Sequence, residues 1–190
     1  MSLSDLAWPL RSDRLLLRRA TPADAALLWP IRRLPEVSRW MTTLPVDEAD
    51  FVARFAEPDR LEPTLVIEHD GRVIGDLMIR IEDAWGQSEV ADRAARTQAE
   101  LGWALDPAFQ GRGFAVEAVR RVLTACFDEL GLRRVTAGCF ADNIPSWRLM
   151  ERVGMRREGD FRADSLHRDG RWYDSYTYAL LREEWDRAAH

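Results

Sequence analysis

Gln110, Gly111, Arg112, Gly113, Phe114 and Ala115 stand between an apolar run at 101–105 and a long amphipathic segment that begins near Phe114. Glycines at a strand-to-helix junction let backbone N–H groups approach a ligand together, where the helix N-terminus adds partial positive charge. The chemistry such a turn offers is phosphate binding. Neither established Gly-rich phosphate pattern fits, because there is no Gly-x-x-x-x-Gly-Lys-Ser/Thr and no complete Gly-x-Gly-x-x-Gly with an acidic residue downstream. The competing reading is a glycine turn that only starts a helix.

Other groups with chemical potential are sparse. Cys126 and Cys139 form no Cys-x-x-Cys pair, so neither a metal nor a redox motif is indicated, and both read as packing residues. His69 adjoins Asp70-Gly71, His167 lies in a polar turn and His190 is terminal. None has a spacing that suggests catalysis, and all three read as solvated.

The elements that must position the loop follow from periodicity and punctuation. A first strand is expected at 15–17, then a helix over 22–32 with Thr21-Pro22-Ala23-Asp24 as its start, and a second helical piece from Val46-Asp47-Glu48 carrying Phe51, Val52 and Phe55. Residues 64–68 and 73–81 read as two antiparallel strands joined at Asp70-Gly71. The polar stretch 82–98 reads as a long loop with Trp85 and Val90 as its main apolar residues. Residues 99–105 form the strand before the glycine loop, and Val116, Val119, Leu123, Cys126, Phe127 and Leu130 recur at helical spacing over 114–130, which Gly131 ends. A strand at 134–140, a helix over 144–153 capped by Asn143, and strands near Phe161 and over 172–181 complete the pattern.

At 190 residues and 46% hydrophobic content the chain suits one domain, 1–190 with a core at about 14–182. With 27 basic against 32 acidic residues and a net charge of -5, no overall field favours nucleic acid or an anionic membrane. The opening lacks the apolar core of a signal peptide and no run is long enough to cross a bilayer, so the expectation is a cytoplasmic protein.

A second motif is independent of the first: Asn143-Ile144-Pro145-Ser146, followed by a short helix and Gly154-Met155. Together with Gln110-x-x-Gly113-x-Ala115 it resembles the GNAT superfamily of N-acetyltransferases, and most closely its RimJ/RimL-like branch. The resemblance implies an α/β (α+β) fold with a mixed, mostly antiparallel central sheet of about six to seven strands flanked by helices. It also implies a V-shaped splay between the fourth and fifth strands, here 100–105 and 134–140. Acetyl-CoA would lie there as cosubstrate, with no metal, its pantetheine arm paired with the backbone of Trp103, Ala104 and Leu105. Gln110, Gly111, Arg112, Gly113, Phe114 and Ala115 would hold the pyrophosphate, with Arg112 supplying charge. Asn143 would meet a pantetheine amide or simply cap its helix. Ser146 would protonate the leaving thiolate or be an ordinary first-turn serine. Trp147 and Met150 read as core residues.

Acetyl transfer needs a neutral amine, yet an alkyl amine of pKa ~10.4 is about three units protonated at neutral pH, a deficit of roughly 4–5 kcal/mol. A carboxylate acting directly or through water could take that proton, and a dry slot would itself lower the amine pKa by disfavouring the ammonium form. Glu100 is the candidate, since alternation sets it opposite Leu101 on the strand that would border the slot; the other reading is an exposed strand carboxylate. Related ribosomal enzymes place a second acid well after the helix; counting from Ser146, this chain has Ser165 there with Asp164 beside it, a weak alternative base. The acceptor would be a primary amine of a protein N-terminus or a small molecule. Trp29, Trp40, Trp85 and Trp172 are candidates for an acceptor pocket or a homodimer contact, with core packing as the alternative. Two other functions fit the same chain: an acyl-CoA-binding module without turnover, and an interaction module using the 82–98 loop.

Overall fold

The computed structural model describes residues 2–188; Met1, Ala189 and His190, and with it the solvated reading of that histidine, lie outside them. The chain forms two compact units, one of Ser2–Arg80 with Gly102–Val122, the other of Ile81–Leu101 with the chain from Leu123 onward.

In the first unit, strands β1 (Leu10–Arg11), β2 (Leu16–Arg19), β3 (Thr64–His69) and all but the last two residues of β4 (Arg72–Glu82) pair antiparallel in chain order. Asp70 and Gly71 join β3 to β4 with φ of 49° and 72°, the two positive values that a tight hairpin requires. Alternation along β3 buries both faces. Leu65 and Ile67 point one way, while Val66 packs with Ala25 and Leu28 of helix α1 (Asp24–Arg32) and, after the single turn α2 (Pro35–Ser38), with Phe51 and Phe55 of α3 (Glu48–Phe55). Asp47 starts α3 by accepting the Asp50 N–H at 2.9 Å. Another single turn, α4 (Pro58–Leu61), leads into β3. Helix α1 begins two residues later than expected. The roles at its start are reversed, because the Asp24 carboxylate accepts the Thr21 N–H at 2.7 Å and the Thr21 hydroxyl at 2.9 Å.

Strand β5 (Gln98–Leu105) contributes its last four residues to this unit and its first four to the other. There it runs parallel to β6 (Arg134–Phe140) over Gln98–Glu100, and β6 pairs antiparallel with β8 (Trp172–Leu181), which pairs with β7 (Arg156–Leu166). The strand order is β1-β2-β3-β4-β5-β6-β8-β7, mixed and mostly antiparallel as expected, with eight strands among the described residues. The additional one is β1, whose two residues are too short to carry a periodicity. Hence the strands expected as fourth and fifth are β5 and β6. Tyr178 on β8, opposite Ala137 and Arg157, is fully buried, and its hydroxyl accepts from Arg157 Nε at 3.0 Å and donates to Glu151 at 2.9 Å.

Helix α5 (Phe114–Thr124) is α-helical for eleven residues and then widens into a π turn at Ala125–Glu129. Apolar spacing cannot distinguish the two, since both bury the same side. Gly131, at φ 64°, closes the segment while the Leu132 N–H reaches Cys126 O at 2.9 Å. Helices α6 (Ile144–Arg152) and α7 (Arg182–Ala188) follow. The expected loop 82–98 carries its own order: a 3-10 helix at Ser88–Arg93, an Ala84 N–H to Ala94 O bond of 2.9 Å and an Arg96 N–H to Asp83 bond of 2.8 Å. It leaves Trp85 91% exposed.

Candidate functional site: a glycine loop and a serine helix start

The loop is built from both of its ends. Asp106 donates its N–H to Ile74 O at 2.8 Å and accepts the Ala108 N–H at 2.9 Å, which starts a 3-10 turn at Pro107–Phe109. The Gln110 side chain turns back and donates to Leu105 O at 3.2 Å, so it braces the loop against the end of β5. Gly111 and Gly113 follow with φ of 72° and 83°, a region that residues with a Cβ rarely adopt. The first helical bond is Glu117 N–H to Gly113 O at 3.0 Å. Among the described residues, the amides of Gly111, Arg112, Gly113, Phe114 and Ala115 donate to no group of the chain. Five neighbouring donors at a helix N-terminus match what a diphosphate requires.

A residue without any local sequence signal secures this turn. Arg14 donates through Nε to Glu117 at 2.7 Å and through Nη1 to Arg112 O at 3.2 Å, and its own N–H also meets Glu117 at 2.8 Å. Burial would raise the Glu117 carboxyl, but hydrogen bonds from the Arg14 N–H, Ser12 and the Arg14 side chain outweigh it and hold the group below the usual carboxylate range. Phe114 is buried beneath the loop, with the His69 ring 4.5 Å from it. His69 and His167 are therefore packed rather than solvated, the latter only 8% exposed between Phe140 and Tyr173.

On β5, Trp103 is half-buried, while Ala104 and Leu105 are buried; Ala104 packs against Ile31 and Val37. Glu100 lies on the other half of that strand, half-buried, opposite Thr136 in register and between the buried Ala99 and Leu101. Burial alternates over this stretch, with Glu100 more accessible than either neighbour.

Asn143 and Ser146 open α6 in the second unit. The Asn143 side chain makes no capping bond; its backbone carbonyl accepts the Ser146 N–H at 3.0 Å instead, which corrects the expected side-chain cap and leaves the carboxamide open to a ligand. Ser146 is half-buried and its hydroxyl lies beside Cys139. Burial pushes the Cys139 thiol up to about 11, against smaller lowering effects from Ser146 and Arg157, and pushes Cys126 up to about 12. Both are neutral thiols at physiological pH, so neither offers a thiolate nucleophile. Met150 is 1% exposed, and the half-buried Trp147 anchors its indole N–H on Ala141 O at 3.1 Å. Asp164, on the exposed strand β7, accepts from Ser175 at 2.9 Å. Of the tryptophans considered for a pocket or dimer contact, Trp29 packs on Phe51 and Trp40 carries Arg39 over its ring. Trp172, like Trp85, is exposed. No group of three or more potential metal ligands occurs among the described residues.

Residues 14–156 match the family model for the acetyltransferase (GNAT) domain, a span that includes both motifs and parts of both units. The chain belongs to the GNAT acetyltransferases, an acyltransferase family. It is 44% identical over 87 residues to the uncharacterized N-acetyltransferase YnaD of Bacillus subtilis, covering 46% of this chain and 51% of that protein, so it spans about half of that relative's length. It is 31% identical to YdaF of Bacillus subtilis, covering 72% of this chain and 68% of that protein, whose name places it provisionally among ribosomal N-acetyltransferases. That likeness agrees with the RimJ/RimL-like branch. A GNAT-family acetyltransferase structure from Bacillus anthracis superposes with a TM-score of 0.77 at 27% identity, covering 92% of this chain and 99% of that one. Among the described residues of this GNAT chain, no helix is long and apolar enough to cross a membrane.

Proposed function

We propose that this chain moves an acetyl group from acetyl-CoA to a primary amine, of a protein N-terminus or a small molecule, by direct transfer in the cytoplasm. The observation that carries the reading is the set of amides from Gly111 to Ala115, held outward by two left-handed glycines and engaged by nothing else among the described residues. They would grip the diphosphate, with Gln110 bracing the turn. The backbone of Trp103, Ala104 and Leu105 would pair with the pantetheine arm, and the free carboxamide of Asn143 suits one of its amides.

The chemistry assigned to the chain is proton management. Glu100 takes the proton that the amine must lose, directly or through water, and the amine nitrogen attacks the thioester carbonyl. As the carbon–sulfur bond breaks, Ser146 gives its proton to the departing thiolate and is reprotonated from solvent, while the acylated nitrogen loses its remaining extra proton to water and leaves a neutral amide. The thioester is already activated, so no protein nucleophile is needed, in keeping with two thiols held neutral by burial. A homodimer belongs to the same proposal, and sedimentation tests it.

The test is release of free thiol from acetyl-CoA with a panel of amines, alongside thermal shift with CoA alone. Acceptor-dependent thiol release is expected. Binding without release would instead favour an acyl-CoA-binding module, and absence of both would overturn the reading.

A further inference from the structure

Three guanidinium groups converge on the aromatic pair behind the glycine loop. Arg14 and Arg112 lie 4.4 and 4.9 Å from the Phe114 ring centroid; Arg72 and Arg112 lie 5.1 and 5.5 Å from that of Phe109. The two rings are 6.1 Å apart. Nearby carboxylates cover this charge unequally. Glu117 is fully engaged by Arg14 and Ser12, and Asp106 stands 3.4 Å from Arg72 while also capping Ala108. Arg112, exposed and placed inside the loop, has no carboxylate partner among the described residues. Like charges sharing one ring face mutual repulsion that a π-face only partly offsets. A doubly charged anion would relieve it, and guanidinium forks suit phosphate oxygens.

Resting on the acetyl-CoA reading above, we infer that Arg112 and Arg72 bind the 3′-phosphate of the coenzyme and that Arg14 is their positioning residue. The chemistry of the donor supports this placement. CoA carries a diphosphate at the 5′ position and a phosphate monoester at the 3′ position of the same ribose, so an anion held by the loop amides sets a second, dianionic group one sugar away, within reach of a long arginine side chain. Arg14 fixes the geometry from below through its bonds to Glu117 and to the Arg112 carbonyl. The consequence is a donor preference: this chain distinguishes CoA from 3′-dephospho-CoA, which has the same diphosphate, pantetheine arm and thiol.

The experiment measures dissociation constants of CoA and 3′-dephospho-CoA for the full chain, for Arg112→Gln and for Arg72→Gln by calorimetry, with unliganded melting temperatures to verify folding. The wild-type chain is expected to bind CoA roughly tenfold more tightly than its dephospho analogue, the scale of one or two charge-assisted hydrogen bonds at an exposed site. In Arg112→Gln the ratio falls to within about twofold, and in Arg72→Gln it falls part of the way. Raising the salt concentration should shrink the wild-type ratio. Equal wild-type affinities for the two ligands, or an Arg112→Gln variant that weakens both alike, would overturn the inference while leaving the acetyltransferase reading intact. Failure of the wild-type chain to bind either would remove both.

Discussion

Gly111→Ala and Gly131→Ala form a matched pair that separates backbone strain from ligand binding. Their φ values are 72° and 64°, and at neither position would an added Cβ meet any atom within 4 Å. Steric clash is thus absent from both, and what remains is the cost of holding alanine in the left-handed region, about 1 kcal/mol. For a chain of this size that lowers the melting temperature by ~2–4 °C in each variant. The coenzyme tells them apart. Gly131 only closes the segment after the π turn, whereas relaxing φ at Gly111 reorients its own amide and that of Arg112. Losing one charge-assisted bond, about 1.5–3 kcal/mol, weakens CoA roughly 10- to 100-fold. At a fixed, near-saturating CoA concentration, tenfold weaker binding removes ~1.4 kcal/mol of ligand stabilisation, or ~3–6 °C of the CoA-dependent shift. Differential scanning fluorimetry of the three proteins with and without CoA measures both quantities. If Gly111→Ala keeps the full wild-type shift, or Gly131→Ala loses it equally, the loop amides do not hold the diphosphate.

Ser146→Ala should lower kcat by about 100-fold, at the low end for general-acid catalysis because a thiolate leaves readily, with KM for acetyl-CoA changed less than about twofold; an unchanged kcat in steady-state thiol release would refute the role. Tyr178→Phe keeps the fully buried ring but removes the hydroxyl that joins Arg157 to Glu151, two partners that are themselves partly exposed. It should cost about 1–2 kcal/mol in urea denaturation, and a loss below about 0.3 kcal/mol would mean that the network is not coupled to folding. Burial would raise the Asp24 carboxyl, but hydrogen bonds from Arg18 and Thr21 outweigh it and hold the group below its usual value. Its stabilisation is therefore complete above the unfolded pKa, near ~3.9, and is lost as pH falls through the lower folded value. The stability gap between wild type and Asp24→Asn should accordingly narrow from about pH 5 towards about pH 2, and a constant gap across that range would contradict the assignment.

Local rules made much of this protein legible. The hairpin at Asp70-Gly71, the strand before the glycine loop, the amphipathic face of α5 and the stop at Gly131 all depend on neighbours within a few residues, and the order of the two motifs carried the family. What sequence could not reveal depends on groups far apart in the chain. Arg14 reaches Glu117 and the carbonyl of Arg112 across about a hundred positions, a bond that no spacing rule encodes. Asn143 stands at a preferred N-cap position, yet its backbone makes the bond that its side chain was expected to make. His69 and His167 sit in polar sequence, but rings brought from other elements pack against both and bury His167. The physical divide is one of range: φ preferences, turn chemistry and hydrophobic period act locally and are written residue by residue, whereas burial, ion pairing and the convergence of three guanidinium groups on two rings exist only once the chain has folded back on itself.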